Sequence, residues 1–243
     1  MLRLYYFPGT CAFAPHMLLE EIGEPFELEM VVPMVPPTGS PDLASSAEWR
    51  AVNPKGRVPA LLGVAGSSGG AAELLTEVSA ILFYLGRSYP ALGLLPDGAA
   101  EQARCIEWCN YLATNLHAVA LAQVSRGARF IDDPAQHPAL AKKGLANARD
   151  GFAYVETVLA DGRSWAIPGG FSVVDFYLYL FFTAGQKVFP DMADRYPHWA
   201  RLAEVISTRP AVQRATAREQ AALAEARAGR FHGRQLIAPP RAA

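Results

Sequence analysis

The sequence predicts a small α/β domain followed by an all-helical domain, and three observations carry that prediction. Strand-like and helix-like stretches alternate up to Tyr89; helical periodicity alone runs from Ala99 to about Glu225; and the Pro/Gly-rich stretch "PALGLLPDG" separates the two. The expected organisation is an α/β domain over 1–89, a linker over 90–98, a helical domain over 99–228 and a tail over 229–243. The tail mixes Gly, Pro and Arg without periodicity, and is expected to fray or to lie on a neighbour.

Each element has a local reason. "LRLYY" (Leu2 to Tyr6) is rich in strand formers, and "APHMLLEEIG" follows it as a helix with Pro15 in its first turn and Gly23 as its stop. "FELEMVV" (Phe26 to Val32) alternates as a second strand, so a βαβ unit is expected. A Pro-rich loop, Pro33 to Pro41, then leads to a weak helix near Leu43 to Val52. "NPKGRVPALLGV" gives a turn and a third strand, joined by the Gly/Ser-rich "AGSSGGA" to "AELLT" as a hairpin; a helix over Glu77 to Ser88 closes the domain. Pro59 removes a ladder donor where a central strand is expected, so either that strand is at an edge or Val58-Pro59 is a special turn, including a cis one. Beyond the linker, helices are expected near Ala99 to Arg126, Pro138 to Leu159, Val173 to Gln186, Tyr196 to Ser207 and Ala211 to Ala226, with no strand.

Composition excludes several classes. Twenty-two basic and 23 acidic residues leave a formal charge of -1, which gives no electrostatic basis for binding nucleic acid or an anionic membrane. The three cysteines are an odd number, Cys11, Cys105 and Cys109, and do not form the disulfide framework of a secreted domain. With no basic and apolar leader pattern at the start, a reducing, cytoplasmic location is expected. The apolar run "FYLYLFFTAG" is flanked by Asp175 and Lys187 and is too short to cross a bilayer.

The chemistry concentrates on Cys11 in "YYFPGTCAFAPH". A cysteine between a strand end and a helix start lies where backbone N–H groups and the helix dipole favour a thiolate; the other reading is a small packed apolar group. The third residue after it is Ala14, so there is no C-x-x-C partner, and any disulfide chemistry would be monothiol. His117, in "NYLATNLHAVAL", is either a satisfied core or surface histidine or an acid–base group. Cys105 and Cys109 share one helix face and read as core; two thiols are too few for a structural zinc site, and no metal is expected. Ser172 and Asp175 have capping-box spacing and read as structural.

Five stretches, "YYFPGTCAFAPH", "NPKGRVPAL", "LTEVSAILFYL", "IEWCNYLATNLH" and "WAIPGGFSVVDFYLY", occur in an order that resembles the cytosolic glutathione S-transferases, most closely the bacterial beta class. The resemblance spans nearly the whole chain. It implies a thioredoxin-like N-terminal domain, an all-α C-terminal domain and a homodimer, with glutathione and a small hydrophobic electrophile as partners. It also implies that Cys11, His117 and Thr10 act on the glutathione sulfur. Val58, ahead of a cis Pro59, would pair with the cysteinyl backbone, Glu77 and the Val78 N–H would hold the γ-glutamyl group, and Asn110 would reach the neighbouring subunit's glutathione.

Two positions depart from the family pattern. Val78 stands where a serine is common, with Ser79 one place late, and the loop Pro33 to Pro41 lacks a basic residue, for which Lys55 or Arg57 is the expected substitute as glutathione ligand. Phe13, Leu116, Ala120 and Trp165 are the expected apolar wall for the electrophile. The expected activity is conjugation of glutathione to small, aromatic electrophiles. The alternatives are a glutathione-dependent reductase or peroxidase using Cys11 as a monothiol, and a non-catalytic glutathione-binding or scaffold protein.

Overall fold

The computed structural model describes residues 1–31, 46–65 and 72–240. Its contacts divide the chain into two units, one formed by Met1–Leu92 together with Thr208–Ala243, the other by Gly93–Ser207.

The first unit is built on a mixed five-stranded sheet of order β4-β3-β1-β2-β5. β1 (Leu2–Tyr6) runs parallel to β2 (Phe26–Met30), with Leu4 opposite Leu28 and Tyr6 opposite Met30. A parallel pair needs a crossover, and α1 (Phe13–Ile22) supplies it, ending on Gly23 in the left-handed conformation that glycine adopts without steric cost. β3 (Ala60–Val64) is antiparallel to β1, and β4 (Glu73–Thr76) is antiparallel to β3. Gly63 allows the chain start to approach closely: a side chain there would come within 2.7 Å of the Met1 carbonyl oxygen. α3 (Val78–Ser88) follows β4, and α2 (Ala47–Val52) precedes β3.

Alternation along the strands sorts two faces. Tyr6 and Phe26 meet the buried His16 ring of α1 edge-on, at 5.9 and 6.1 Å between centroids. Tyr5, one residue from Tyr6, faces the other way and packs on Trp49 of α2 with Val31 and Ala60. Both tyrosines of β1 are therefore packing residues: each is buried, and burial together with the Glu219 charge pushes the Tyr6 hydroxyl pKa upward.

The Pro59 alternative is decided by geometry. β3 is an internal strand, and Pro59 lies just ahead of its first residue in a cis Val58-Pro59 peptide. The Pro33 to Pro41 loop, the start of the helix expected from Leu43, and most of "AGSSGGA" lie outside the described residues.

The tail differs from the expectation. Arg234–Ile237 form β5, antiparallel to β2, with Phe26 opposite Ile237 and Glu29 opposite Arg234. The pairing has a side-chain reason: Glu27 and Glu29 of β2 attract both Arg3 of β1 and Arg234 of β5, and Ile237 is buried. α10 (Pro210–Arg227), expected as the last helix of the helical domain, likewise packs on α1 of the sheet unit.

The second unit is helical. α4 (Ala99–Tyr111) continues through a π-helical segment, Leu112–Leu121, into α5 (Ala122–Ser125). α6 (His137–Leu159) packs tightly along this rod because Gly144 and Gly151 present no side chain. A Cβ on Gly144 would come within 2.8 Å of the Ala120 carbonyl oxygen, and one on Gly151 within 2.4 Å of Leu116. α7 (Val173–Val188), α8 (Met192–Arg195) and α9 (Pro197–Ser207) complete it. The Ser172–Asp175 capping box is present as expected: the Ser172 hydroxyl accepts the Val174 N–H, and Asp175 accepts those of Ser172 and Ala166, both at 2.8 Å.

Candidate active site

The turn from β1 to α1 carries the candidate thiol. Gly9 sits at φ 76°, and the next residue closes the turn from inside: the Thr10 hydroxyl donates to the Phe7 carbonyl at 2.7 Å and accepts the Ala12 N–H at 3.3 Å. The Thr10 carbonyl accepts the Phe13 N–H at 3.1 Å, which starts α1. Cys11 is thus two residues ahead of the first helical residue, half-buried, with its thiol 3.4 Å from the Val58 carbonyl oxygen. Thr10 serves the backbone of this turn through its hydroxyl.

Val58 is brought there by the turn before β3. The buried Asn53 organises it: its amide nitrogen donates to the Arg57 carbonyl at 2.8 Å and its oxygen accepts the Lys55 N–H at 3.1 Å. Asparagine is suited to such turns because its side chain can pair with backbone two residues on. Lys55, exposed, reaches the start of α3, with its ammonium 2.7 Å from Glu77 and 2.9 Å from the Thr76 hydroxyl. Glu77 is the one non-glycine residue with positive φ among the described residues, at 73°. That conformation costs an L-residue energy and is found preferentially at ligand clamps and active sites. Its peptide starts α3 at Val78, which is buried, so the N–H groups of the helix terminus follow directly on an exposed carboxylate.

One unit therefore assembles Thr10, Cys11, Val58, Pro59, Lys55, Glu77 and Val78. Cys11 contacts Val58, and Lys55 pairs with Glu77. Phe13, half-buried, opens α1 two residues after the thiol.

The remaining predicted residues belong to the helical unit. His117 lies in the π-helical segment, half-buried, with its ring 6.2 Å from that of Phe181 in edge geometry. π-helical turns are rare and occur frequently at functional sites. Asn110 is exposed near the end of α4, and its carbonyl accepts the Thr114 hydroxyl at 2.8 Å. Trp165 is half-buried and packs edge-on against Phe171 at 5.1 Å. Leu116 and Ala120 differ from the expectation of an open wall. Both are fully buried where Gly151 and Gly144 of α6 close on the π-helical segment, so they are core residues. Cys105 and Cys109 are core as expected, with burial pushing both thiols up to about 12.

Sequence reading missed three residues that shape the site. Asn53 had a legible cue, since "NPKG" is a turn sequence. His16 and Glu219 had none. The carboxylate of Glu219 accepts the Gly9 N–H at 2.7 Å across 210 positions of chain and lies 3.1 Å from His16 Nδ1, and no local pattern encodes such a contact.

A thioredoxin-like mixed sheet that places a half-buried thiol against the carbonyl ahead of a cis-proline, in a chain with a second, helical unit, defines a class of two-unit thiol-handling proteins. The model of the glutathione S-transferase N-terminal domain family matches residues 10–88. The chain is 32% identical over 219 residues to glutathione S-transferase GstA of Escherichia coli O157:H7, covering 90% of this chain and 98% of that protein. The sphingomonad glutathione S-transferase solved in complex with glutathione is 30% identical, with a TM-score of 0.70 over 90% of this chain and 98% of that one. The bacterial beta class enzyme of Sphingomonas chungbukensis is 27% identical, with a TM-score of 0.69 over 89% and 98%. The chain belongs to the glutathione S-transferase family, and its likeness extends to the beta class.

Proposed function

We propose that this protein binds reduced glutathione on the sheet unit and adds its sulfur to small, aromatic electrophiles. The observation that carries the reading is the Cys11 thiol at 3.4 Å from the Val58 carbonyl oxygen. An extended tripeptide pairing its cysteinyl backbone with Val58, beside Pro59, would bring its own sulfur next to Cys11, because strand-like pairing fixes a peptide in register. The Glu77 carboxylate then receives the γ-glutamyl ammonium, and the α3 N-terminus at Val78 receives the carboxylate. Lys55, already paired with Glu77, is the cation on hand for a glutathione carboxylate.

Catalysis in this reading is thiolate stabilisation. Lowering a thiol pKa from about 8.5 to about 6.5 needs roughly 2.7 kcal/mol of preference for the anion, which one or two hydrogen bonds to it supply. Cys11 and His117 are the assigned donors to the sulfur, with Thr10 holding the turn. The glutathione thiolate attacks the electrophilic carbon; in substitution the leaving group departs to solvent with the electron pair of the broken bond, and in addition the resulting carbanion takes up a proton from solvent. The apolar wall reduces to Phe13 and Trp165, since Leu116 and Ala120 are core. Homodimerisation, with the exposed Asn110 reaching the partner's glutathione, and a cytoplasmic location, in keeping with an odd number of cysteines, complete the proposal.

A second reading rests on the contrast among the thiols. Cys11 is the accessible one, while Cys105 and Cys109 are buried. Cys11 as thiolate would attack a glutathione mixed disulfide, forming a Cys11–glutathione disulfide and releasing the other thiol; a second glutathione would then regenerate Cys11 and leave as oxidised glutathione. Steady-state assays of wild type and Cys11→Ala with an activated aryl chloride and with a glutathione mixed disulfide separate the two. Conjugation by wild type supports the first reading, reduction lost in Cys11→Ala adds the second, and absence of both rejects them.

A further inference from the structure

The turn before β3 is complete without the Lys55 side chain. Asn53 accepts the Lys55 N–H and donates to the Arg57 carbonyl, so the backbone of Lys55 is fixed and only its flexible four-carbon stem decides where the ammonium goes. That ammonium lies at the junction of β4 and α3, donating to Glu77 Oε1 at 2.7 Å and to the Thr76 hydroxyl oxygen at 2.9 Å. The two side chains of the ion pair are 56 and 68% exposed, so the pair contributes little to the fold. Nor does it account for the backbone of Glu77, whose positive φ of 73° costs more than an exposed ion pair returns. A carboxylate held in a costly conformation, with a displaceable ammonium on it, has the form of a site for another ammonium.

We propose that Lys55 sets the site's selectivity for the γ-glutamyl end of glutathione by standing in for its ammonium. The lysine holds Glu77 in this structure, yields it to the ligand's ammonium on binding, and turns to the ligand's carboxylate beside Val78. A lysine ammonium and an α-ammonium are alike for this purpose, each a compact cation with three donors. One cation replaces another on Glu77, and the displaced one is left next to an incoming anion. A ligand with both charges therefore ends with two ion pairs where one stood. A ligand without the ammonium leaves Lys55 in place, shared between Glu77 and the carboxylate. The lysine thus covers for a missing ammonium, and its removal makes the site depend on the ligand's own. The exchange rests on the glutathione reading above, whereas the Lys55–Glu77 pair does not.

The test is a cycle of two deletions. Lys55→Met removes the lysine ammonium, and N-glutaryl-cysteinylglycine, which is glutathione with hydrogen in place of its amino group, removes the ligand's. Calorimetric titration of both tripeptides, as thiols under reductant, into the full chain of wild type and of Lys55→Met gives four affinities. Loss of the ligand's amino group should weaken binding to both proteins. The factor should be roughly two- to fivefold larger in Lys55→Met, the worth of the exposed pair that stands in. Glutathione itself should bind Lys55→Met more weakly than wild type, because its carboxylate loses a cation. With Glu77→Gln added to both proteins the extra factor should disappear, since the two ammonium groups no longer share a carboxylate.

An equal factor in wild type and Lys55→Met, or a smaller one in the variant, would overturn the stand-in role and leave glutathione binding intact. An extra factor that survives Glu77→Gln would overturn the assignment to Glu77. Unchanged or tighter binding of glutathione by Lys55→Met would overturn the transfer to the carboxylate. A wild type that binds neither tripeptide would overturn this proposal and the glutathione reading together.

Discussion

The two units solve the problem of burying polar groups differently. In the sheet unit, the buried carboxylates Glu20 and Glu219 lie on α1 and α10, and both are bound to groups more than 190 residues away in sequence. In the helical unit, the buried carboxylate is Asp175, whose partners Ser172 and Ala166 are three and nine residues away. Long-range charge pairing registers a helix from the end of the chain against the turn at its start. Local capping needs only to start a core helix. The difference also separates the cysteines: Cys11 is half-buried on the charge-registered turn, and the other two are sealed in apolar packing.

The cysteines give the largest expected contrast. With both buried thiols pushed up to about 12, their thiolate fraction at neutral pH is about three orders of magnitude below that of an ordinary thiol near 8.5. Alkylation of the folded protein should therefore show one fast thiol, absent in Cys11→Ala, with Cys105 and Cys109 reacting only on unfolding. Two fast thiols in wild type would break the contrast.

Asp175→Ala comes next. It removes a cap and leaves the Ser172 and Ala166 N–H groups unpaired in a dry site, for an expected loss of about 3 kcal/mol in denaturant unfolding. A loss below about 1 kcal/mol would mean that this cap is not what stabilises α7. Gly144→Ala is smaller. Its new methyl group meets backbone atoms of the opposite helix, so overpacking should outweigh the gain in helix propensity by about 1–2 kcal/mol. Lys55→Ala is the smallest in stability, under about 1 kcal/mol, because its pair with Glu77 is exposed. Its effect belongs instead in the KM for glutathione, which should rise.

What the sequence made legible follows the same division. The βαβ unit, the helix positions after the linker, the capping box at Ser172 and the thiol turn at Cys11 all rest on patterns within a few residues, and they are present. β5 was not legible because "RQLI" is short and becomes a strand only by meeting Glu27, Glu29 and the open edge of β2. The assignment of Leu116 and Ala120 to an open wall failed because the two glycines that bury them are 24 and 35 positions away. Glu219 was invisible for the same reason, since its partner Gly9 is 210 positions distant.

The central claim is that glutathione binds the sheet unit with its γ-glutamyl group at Glu77. Calorimetric titration of reduced glutathione into wild type and Glu77→Gln tests it most directly. The account predicts one saturable site per chain in wild type and about tenfold or more weaker binding in the variant, the loss of a charge-assisted contact. No binding by wild type, or equal affinity in the two proteins, would contradict it.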